Sequence, residues 1–141
     1  MVYKYFTVQN LAWLFTAMFT FLAAMNYMPF IIAENGLIFG FFKLEPIANN
    51  LHILSGIWAA LAAWYSRGAA LFYFRAFGTA YFLDGVVGVF AGKAYLNLNL
   101  FHFDTEPVAD MFTRLVLNTP HLVIGGAAMF IGFVLYKKLR S

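Results

Sequence analysis

The chain has 141 residues, of which 63% are hydrophobic, 21% aromatic and only 11% charged, with a formal net charge of +3. A water-soluble domain is about one-quarter charged, so this composition excludes an ordinary soluble protein and points to lipid as the main solvent. The absence of cysteine excludes disulfides, thiolate metal sites, covalently attached haem and palmitoylation; the basic residues form no aromatic-interleaved patch that would suit nucleic acid.

Four apolar runs, at about 11–33, 47–66, 69–92 and 117–136, reach the roughly 20 residues a helix needs to cross a bilayer. The first is too long for a signal-peptide core and lacks a clear cleavage site, which predicts a retained span. The segment after it, "GLIFGFF", is short, aromatic and partly alternating, and is expected to lie as an extended strand over the outer end of the molecule. Glu45-Pro46 then leads into the second run, "ANNLHILSGIWAA", with Pro46 near the helix start, where its missing N–H is harmless, and Asn49 as N-cap.

The third run carries Asp84 near its middle, followed by Gly85, Gly88 and Gly92. An ionised carboxylate at that depth costs about 2.5–3.5 kcal/mol on insertion scales. It is therefore expected to face the interior, protonated or bonded to a polar neighbour, with Asn26 of the first run as the candidate. The glycines indicate close helix contact. A second aromatic segment, "LNLNLFHF", precedes Glu106-Pro107, and the fourth run opens with "LNTPHLVIGGAAM". There Asn118 is expected to cap and Pro120 to lie in the first turn.

The halves of the chain repeat. Glu45-Pro46-Ile47-Ala48 matches Glu106-Pro107-Val108-Ala109 at an offset of 61, and Asn49, His52, Gly56 and Ala59 match Asn118, His121, Gly125 and Ala128 at an offset of 69. An eight-residue insertion, "MFTRLVLN", accounts for the difference. The predicted fold is thus an all-α membrane protein: one domain over 1–141, a four-transmembrane-helix bundle made of two parallel helix-pair repeats, about 7–66 and 69–139. A pseudo-two-fold axis along the membrane normal relates them. Lys4, Arg67, Arg75, Lys137, Lys138 and Arg140 fall at one end, against Lys43, Lys93 and Arg114 at the other. The positive-inside rule then puts both termini in the cytoplasm.

These motifs resemble those of a family of small bacterial four-span membrane proteins catalogued only as a domain of unknown function. The resemblance covers nearly the whole chain and is most specific at Asn49…His52…Gly56 and its echo at His121. It implies the fold and supplies no chemistry. Two departures stand out: the family runs from an Asp-Asn pair straight into the second histidine, whereas Asp110 and Asn118 are separated here, and Asp84 is unusual.

His52, Ser55, Gly56, Ala59, Ala60 and Ala63 share one helix face, as do His121, Gly125, Ala128, Met129 and Gly132. Each histidine thus heads a stripe of small residues, the surface by which membrane helices approach closely. If both stripes face the axis, the two histidines meet at one depth as neutral imidazoles. One reading is structural, with each ring bonded to loop backbone, to the capping asparagine or to its partner. Another makes His52 and His121 ligands of a haem, a metal or a pigment's magnesium; a third gives them a polar ligand such as a quinone or lipid headgroup. His102 matches Phe41 in the other half and is expected to be a loop residue.

For Asp84 the alternatives are proton or ion transfer and a buried polar clamp. With no nucleophile elbow, phosphate loop, HExxH or cysteine-rich motif, an enzyme is not expected. The expected role is a non-catalytic accessory or structural membrane subunit that packs against partner proteins, pigments or copies of itself. A b-type haem electron carrier and a small channel or transporter are the alternatives.

Overall fold

Three of the four helices begin at a side chain able to accept a backbone N–H, and the computed structural model shows each of these caps in place. It describes residues 6–40, 42, 46–96, 99–101, 103 and 106–139. Lys4, Lys43, Glu45, His102 and Arg140 lie outside the described residues. Helix α1 (Val8–Met25) is capped by Thr7, which accepts from the Asn10 N–H at 3.0 Å. Helix α3 (Arg67–Ala91) is capped by Ser66, which accepts from Ala69 at 3.0 Å. Helix α4 (Met111–Phe133) is capped by Asp110, which accepts from Thr113 at 2.8 Å. Each bond satisfies an N–H that a helix start leaves without a partner. Helix α2 (Pro46–Tyr65) begins on its proline.

Asp110 also accepts the Thr113 hydroxyl at 2.7 Å. That bond, with the Thr113 N–H, holds its carboxyl below the ordinary value of 3.8. Because the folded value is the lower one, the cap's electrostatic contribution is present above the ordinary value and is lost as pH falls through the folded value.

By length and composition α1, α3 and α4, the last continued through a 3-10 turn at Leu135–Lys137, are long and apolar enough to cross a membrane. Helix α2 has 20 residues but carries Asn49, Asn50, His52 and Ser55 in its first half. Two helix boundaries differ from expectation. Helix α1 stops at Met25, because Asn26 caps it and Pro29 forces Met28 into extended backbone. Helix α4 starts at Met111, so the inserted "MFTRLVLN" forms its first two turns.

Neither Asn49 nor Asn118 is therefore an N-cap; both lie inside helices, because Pro46 and Asp110 start those helices earlier. Pro120 is likewise interior and leaves the Val116 carbonyl without its helical donor. In the same turn Asn118 Nδ2 donates to Arg114 O at 2.8 Å and the Thr119 hydroxyl to Leu115 O at 2.5 Å. Among the described residues no strand forms. Gly36, Phe39 and Gly40 all have positive φ and turn the chain back over 36–40, leaving isolated bridges between Ile32 and Ile38 and between Ile38 and Phe42.

The helices pack as two antiparallel pairs. In the first, Gln9 Nε2 donates to Ala63 O at 2.9 Å and the Thr16 hydroxyl to Gly56 O at 3.2 Å; near the other end Asn26 Nδ2 donates to Asn49 Oδ1 at 2.5 Å. In the second, Arg75 Nε donates to Gly132 O at 2.8 Å, and Gly78, Gly85 and Gly88 face Ala128, Leu122 and Asn118 in turn. The pairs meet through α3, which packs on α2 where the Trp58 and Tyr73 rings lie edge to face at 5.0 Å, and on α1, to which it runs parallel through an aromatic seam. Ring centroids are 5.0 Å apart for Phe15–Phe74, 5.4 Å for Phe19–Phe77 and 6.0 Å for Phe19–Tyr81, all near-perpendicular, the edge-to-face arrangement that aromatic quadrupoles favour.

The small-residue stripes thus do not face a common axis. Gly56 sits against Phe19 of α1, and Gly125 against the backbone of Phe82 in α3; Ala59 and Ala128 are fully buried. Without a hydrophobic drive in lipid, close backbone approach is what small residues provide, and here they provide it within each pair. Ser55 turns toward α3 beside Phe77 and Ala80.

Adjacent glycines test this packing. A Cβ at Gly125 would run into the Phe82 backbone, whereas one at Gly126 would meet only the Phe82 ring at 3.7 Å. Gly125→Ala is expected to cost about 1–3 kcal/mol, and Gly126→Ala to be neutral or stabilising by up to about 1 kcal/mol, by thermal unfolding in mild detergent.

Candidate functional site

Asp84 is fully buried in α3 and needs donors. The chain supplies them by reversing just after the helix. Gly92, at φ 74°, closes α3 in the left-handed conformation with its N–H on Gly88 O, and the loop folds back along the helix it has left. Asp84 Oδ1 accepts the N–H groups of Tyr95 at 2.9 Å and Leu96 at 2.8 Å. One turn earlier the Tyr95 hydroxyl donates to Ala80 O. Burial raises the Tyr95 phenol above its ordinary range, and the charge of Asp84 adds to that. From α4, Arg114 locks the same end by donating to Val108 O at 2.5 Å and Phe90 O at 3.1 Å.

The second carboxylate oxygen, Oδ2, meets His121 Nδ1 at 2.5 Å. Asp84 therefore ties together α3, its own return loop and α4. Asn26 is not its partner, since that side chain is spent on Asn49 across the α1–α2 pair. An Nδ1–H given to a carboxylate fixes the imidazole's orientation and tautomer and leaves Nε2 as the group open to another partner. The Tyr81 ring packs on the other side of His121, with centroids 4.5 Å apart.

His52 reaches the same place from α2. Its ring lies 5.9 Å from that of Phe19, and its Nδ1 is buried with no hydrogen bond among the described residues. Both histidines line one cavity of about 290 Å³, with Tyr81, Asn26 and Asn49 at its edges. Leu22 and Met25 of α1, Ile124 of α4, and Ile38, Phe39 and Phe42 form its apolar walls. Ile38 is buried there, while Phe39 stays largely exposed with φ 53°.

The structure thus brings His52, His121, Asp84, Asn26 and Asn49 to one end of the molecule. Asn118 sits apart against Gly88, and Gly85 and Gly88 serve as α4 contacts. Among the described residues no three His, Cys, Asp or Glu side chains converge as a metal site requires.

Sequence reasoning missed Tyr81 and the two loop N–H groups. Tyr81 stands three residues before Asp84, on the same helix face, so periodicity alone could have found it. Backbone donors leave no trace in residue identities. No family model matches the chain, and comparison with curated proteins and with solved structures returns no match; the functional reading rests on this geometry.

Removing the carboxylate would orphan two part-buried N–H groups and an imidazole at once. Asp84→Ala is expected to cost about 3–5 kcal/mol, and Asp84→Asn, which keeps one acceptor oxygen for the loop, clearly less. Thermal unfolding of the two purified variants checks this. Equal tolerance of both would contradict the clamp.

Proposed function

We propose that this is a non-catalytic integral membrane protein whose four helices cross the bilayer as two like-oriented hairpins, α1–α2 and α3–α4. It acts by holding a small lipophilic molecule in the cavity where the hairpins meet. The observation that carries this reading is the arrival of His52 and His121, 69 positions apart in the sequence, on a single cavity beside a carboxylate that fixes one of them.

Three features support the duplicated architecture. Helices α1 and α3 run parallel, both pairs close through glycine on aromatic residues, and each places an asparagine at the corresponding point of its pair. An exterior bearing Trp13, Phe21, Phe72, Phe90, Phe112 and Phe130 suits lipid and neighbouring membrane helices, so an accessory subunit, self-associating or docked to other membrane proteins, is the role proposed. A bacterial inner membrane is the location proposed with this role. The basic end formed by Arg67, Arg75, Lys137 and Lys138 lies on the cytoplasmic side, where Arg67 donates to Tyr136 O at 3.0 Å and Arg75 lies 4.8 Å from the Tyr136 ring centroid.

A b-type haem between the two histidines is the second reading. It is favoured by the carboxylate behind His121, which raises the basicity of a ligating imidazole. The cavity weighs against it. About 290 Å³ falls at the low end of small-molecule sites, roughly 300–1,000 Å³, which suits one substituted ring better than a porphyrin. The Asp84 carboxylate, held by three hydrogen bonds, has the character of a clamp and not of an ion relay.

Because the chain has no cysteine, single-cysteine variants test the topology cleanly. An impermeant maleimide is expected to label Glu34→Cys and Glu106→Cys from outside intact cells, and Gly68→Cys and Lys137→Cys only after permeabilisation. Labelling of positions 34 and 106 from opposite sides would contradict four spans. Protein purified from haem-replete cells is expected to show no Soret band, and a stoichiometric band would establish the haem reading instead.

A further inference from the structure

Resting on the cavity as a ligand site, we propose that its occupant is the head of a quinone or quinol: an uncharged, flat ring carrying oxygens at opposite ends. The cavity's size, about 290 Å³, accommodates a single substituted six-membered ring. Its walls offer Met25, Phe39, Phe42 and Ile124 to the ring faces.

Its charge balance selects against other lipid heads. Among the described residues no Lys or Arg lines the cavity, and a buried carboxylate lies directly behind His121. A phosphate, which is normally met by Arg or Lys, would find no counter-charge among these residues and a carboxylate close by.

What the cavity does offer is two imidazoles, brought from different helix pairs. His121 is fixed by Asp84 through Nδ1, so Nε2 is the nitrogen left to bond. As neutral imidazole that atom accepts the hydroxyl of a quinol; with a proton on it, it donates to the carbonyl of a quinone. His52 supplies the second point. It lines the cavity, and its Nδ1 is a buried polar atom that no group among the described residues satisfies, whereas buried polar groups normally have partners. Two imidazoles from different helix pairs on one cavity match a ring that carries two oxygens better than they match an alcohol or a single carbonyl.

The test uses the full chain in nanodiscs, washed free of endogenous lipophiles, with empty nanodiscs as the reference for partitioning. Three probes share one tail: a decyl-substituted benzoquinone, its quinol and decylbenzene. Binding is read by calorimetry. Quinone and quinol are expected to bind saturably with one site per chain, and decylbenzene at least about tenfold more weakly. His52→Leu, at a residue outside the Asp84 clamp, is expected to keep the thermal unfolding of the parent chain and to weaken the oxygenated probes by about tenfold, the worth of one hydrogen bond, without changing decylbenzene. His121→Gln should do the same where it folds.

Equal affinity for decylbenzene, or unchanged quinone binding in His52→Leu, would overturn the ligand class while leaving the cavity a binding site. Failure of all three probes to bind would overturn the ligand-site reading with it.

Discussion

A buried carboxylate in a helix surrounded by apolar groups must be satisfied or it will not stay. Asp84, with no exposure at all, imposes that demand on everything around it. Its position requires the chain after α3 to double back so that Tyr95 and Leu96 offer their N–H groups, and the left-handed Gly92 makes that reversal possible. It also requires a third donor from a neighbouring helix, which sets where α4 presents His121. In low dielectric such bonds are stronger than in water, and leaving one unmade is correspondingly costly. The clamp is thus what turns a close-packed helix pair, held elsewhere by glycine contacts and an aromatic seam, into one with a fixed imidazole at its end.

The cavity follows from the way the two pairs meet. Helices α1 and α3 touch along rings, which fill space well over the middle of the molecule. Toward the end that carries the histidines the seam gives out: Asn26 closes α1 and bonds to Asn49, and the chain turns through Pro29. Tyr81 is the last ring of the seam, packed against His121. Beyond it, space remains between the pairs, lined by Ile38, Phe39 and Phe42 and by the two imidazoles.

Much of this was legible in the sequence. Apolar run length located three helices able to cross a membrane. The histidine repeat identified two residues that share a cavity, and the cost of burying a charge singled out Asp84. What failed had local causes. Asn49 and Asn118 looked like caps because each precedes a histidine and an apolar run, yet Pro46 and Asp110 start the helices sooner and leave both asparagines inside. The segment 36–42 alternates as a strand would, but Gly36, Phe39 and Gly40 take positive φ and turn the chain over 36–40. The stripes of small residues announced close packing correctly and gave no sign of which helix they would meet. The partner of Asp84 lay 37 positions away, and two of its donors were backbone, so no side-chain pattern could name them.

The pairing of Asp84 with His121 is the claim on which the clamp and the cavity both depend. Nitrogen-15 NMR of the chain labelled at histidine measures it directly, since the shifts and couplings of a ring report which nitrogen carries a proton and how strongly that proton is bonded. The expected result is one histidine with a protonated Nδ1 and a strongly downfield proton, a signal that disappears in Asp84→Asn and is untouched in His52→Leu. A pair of ordinary, solvent-exchanging rings, or a downfield proton that survives Asp84→Asn, would contradict the account.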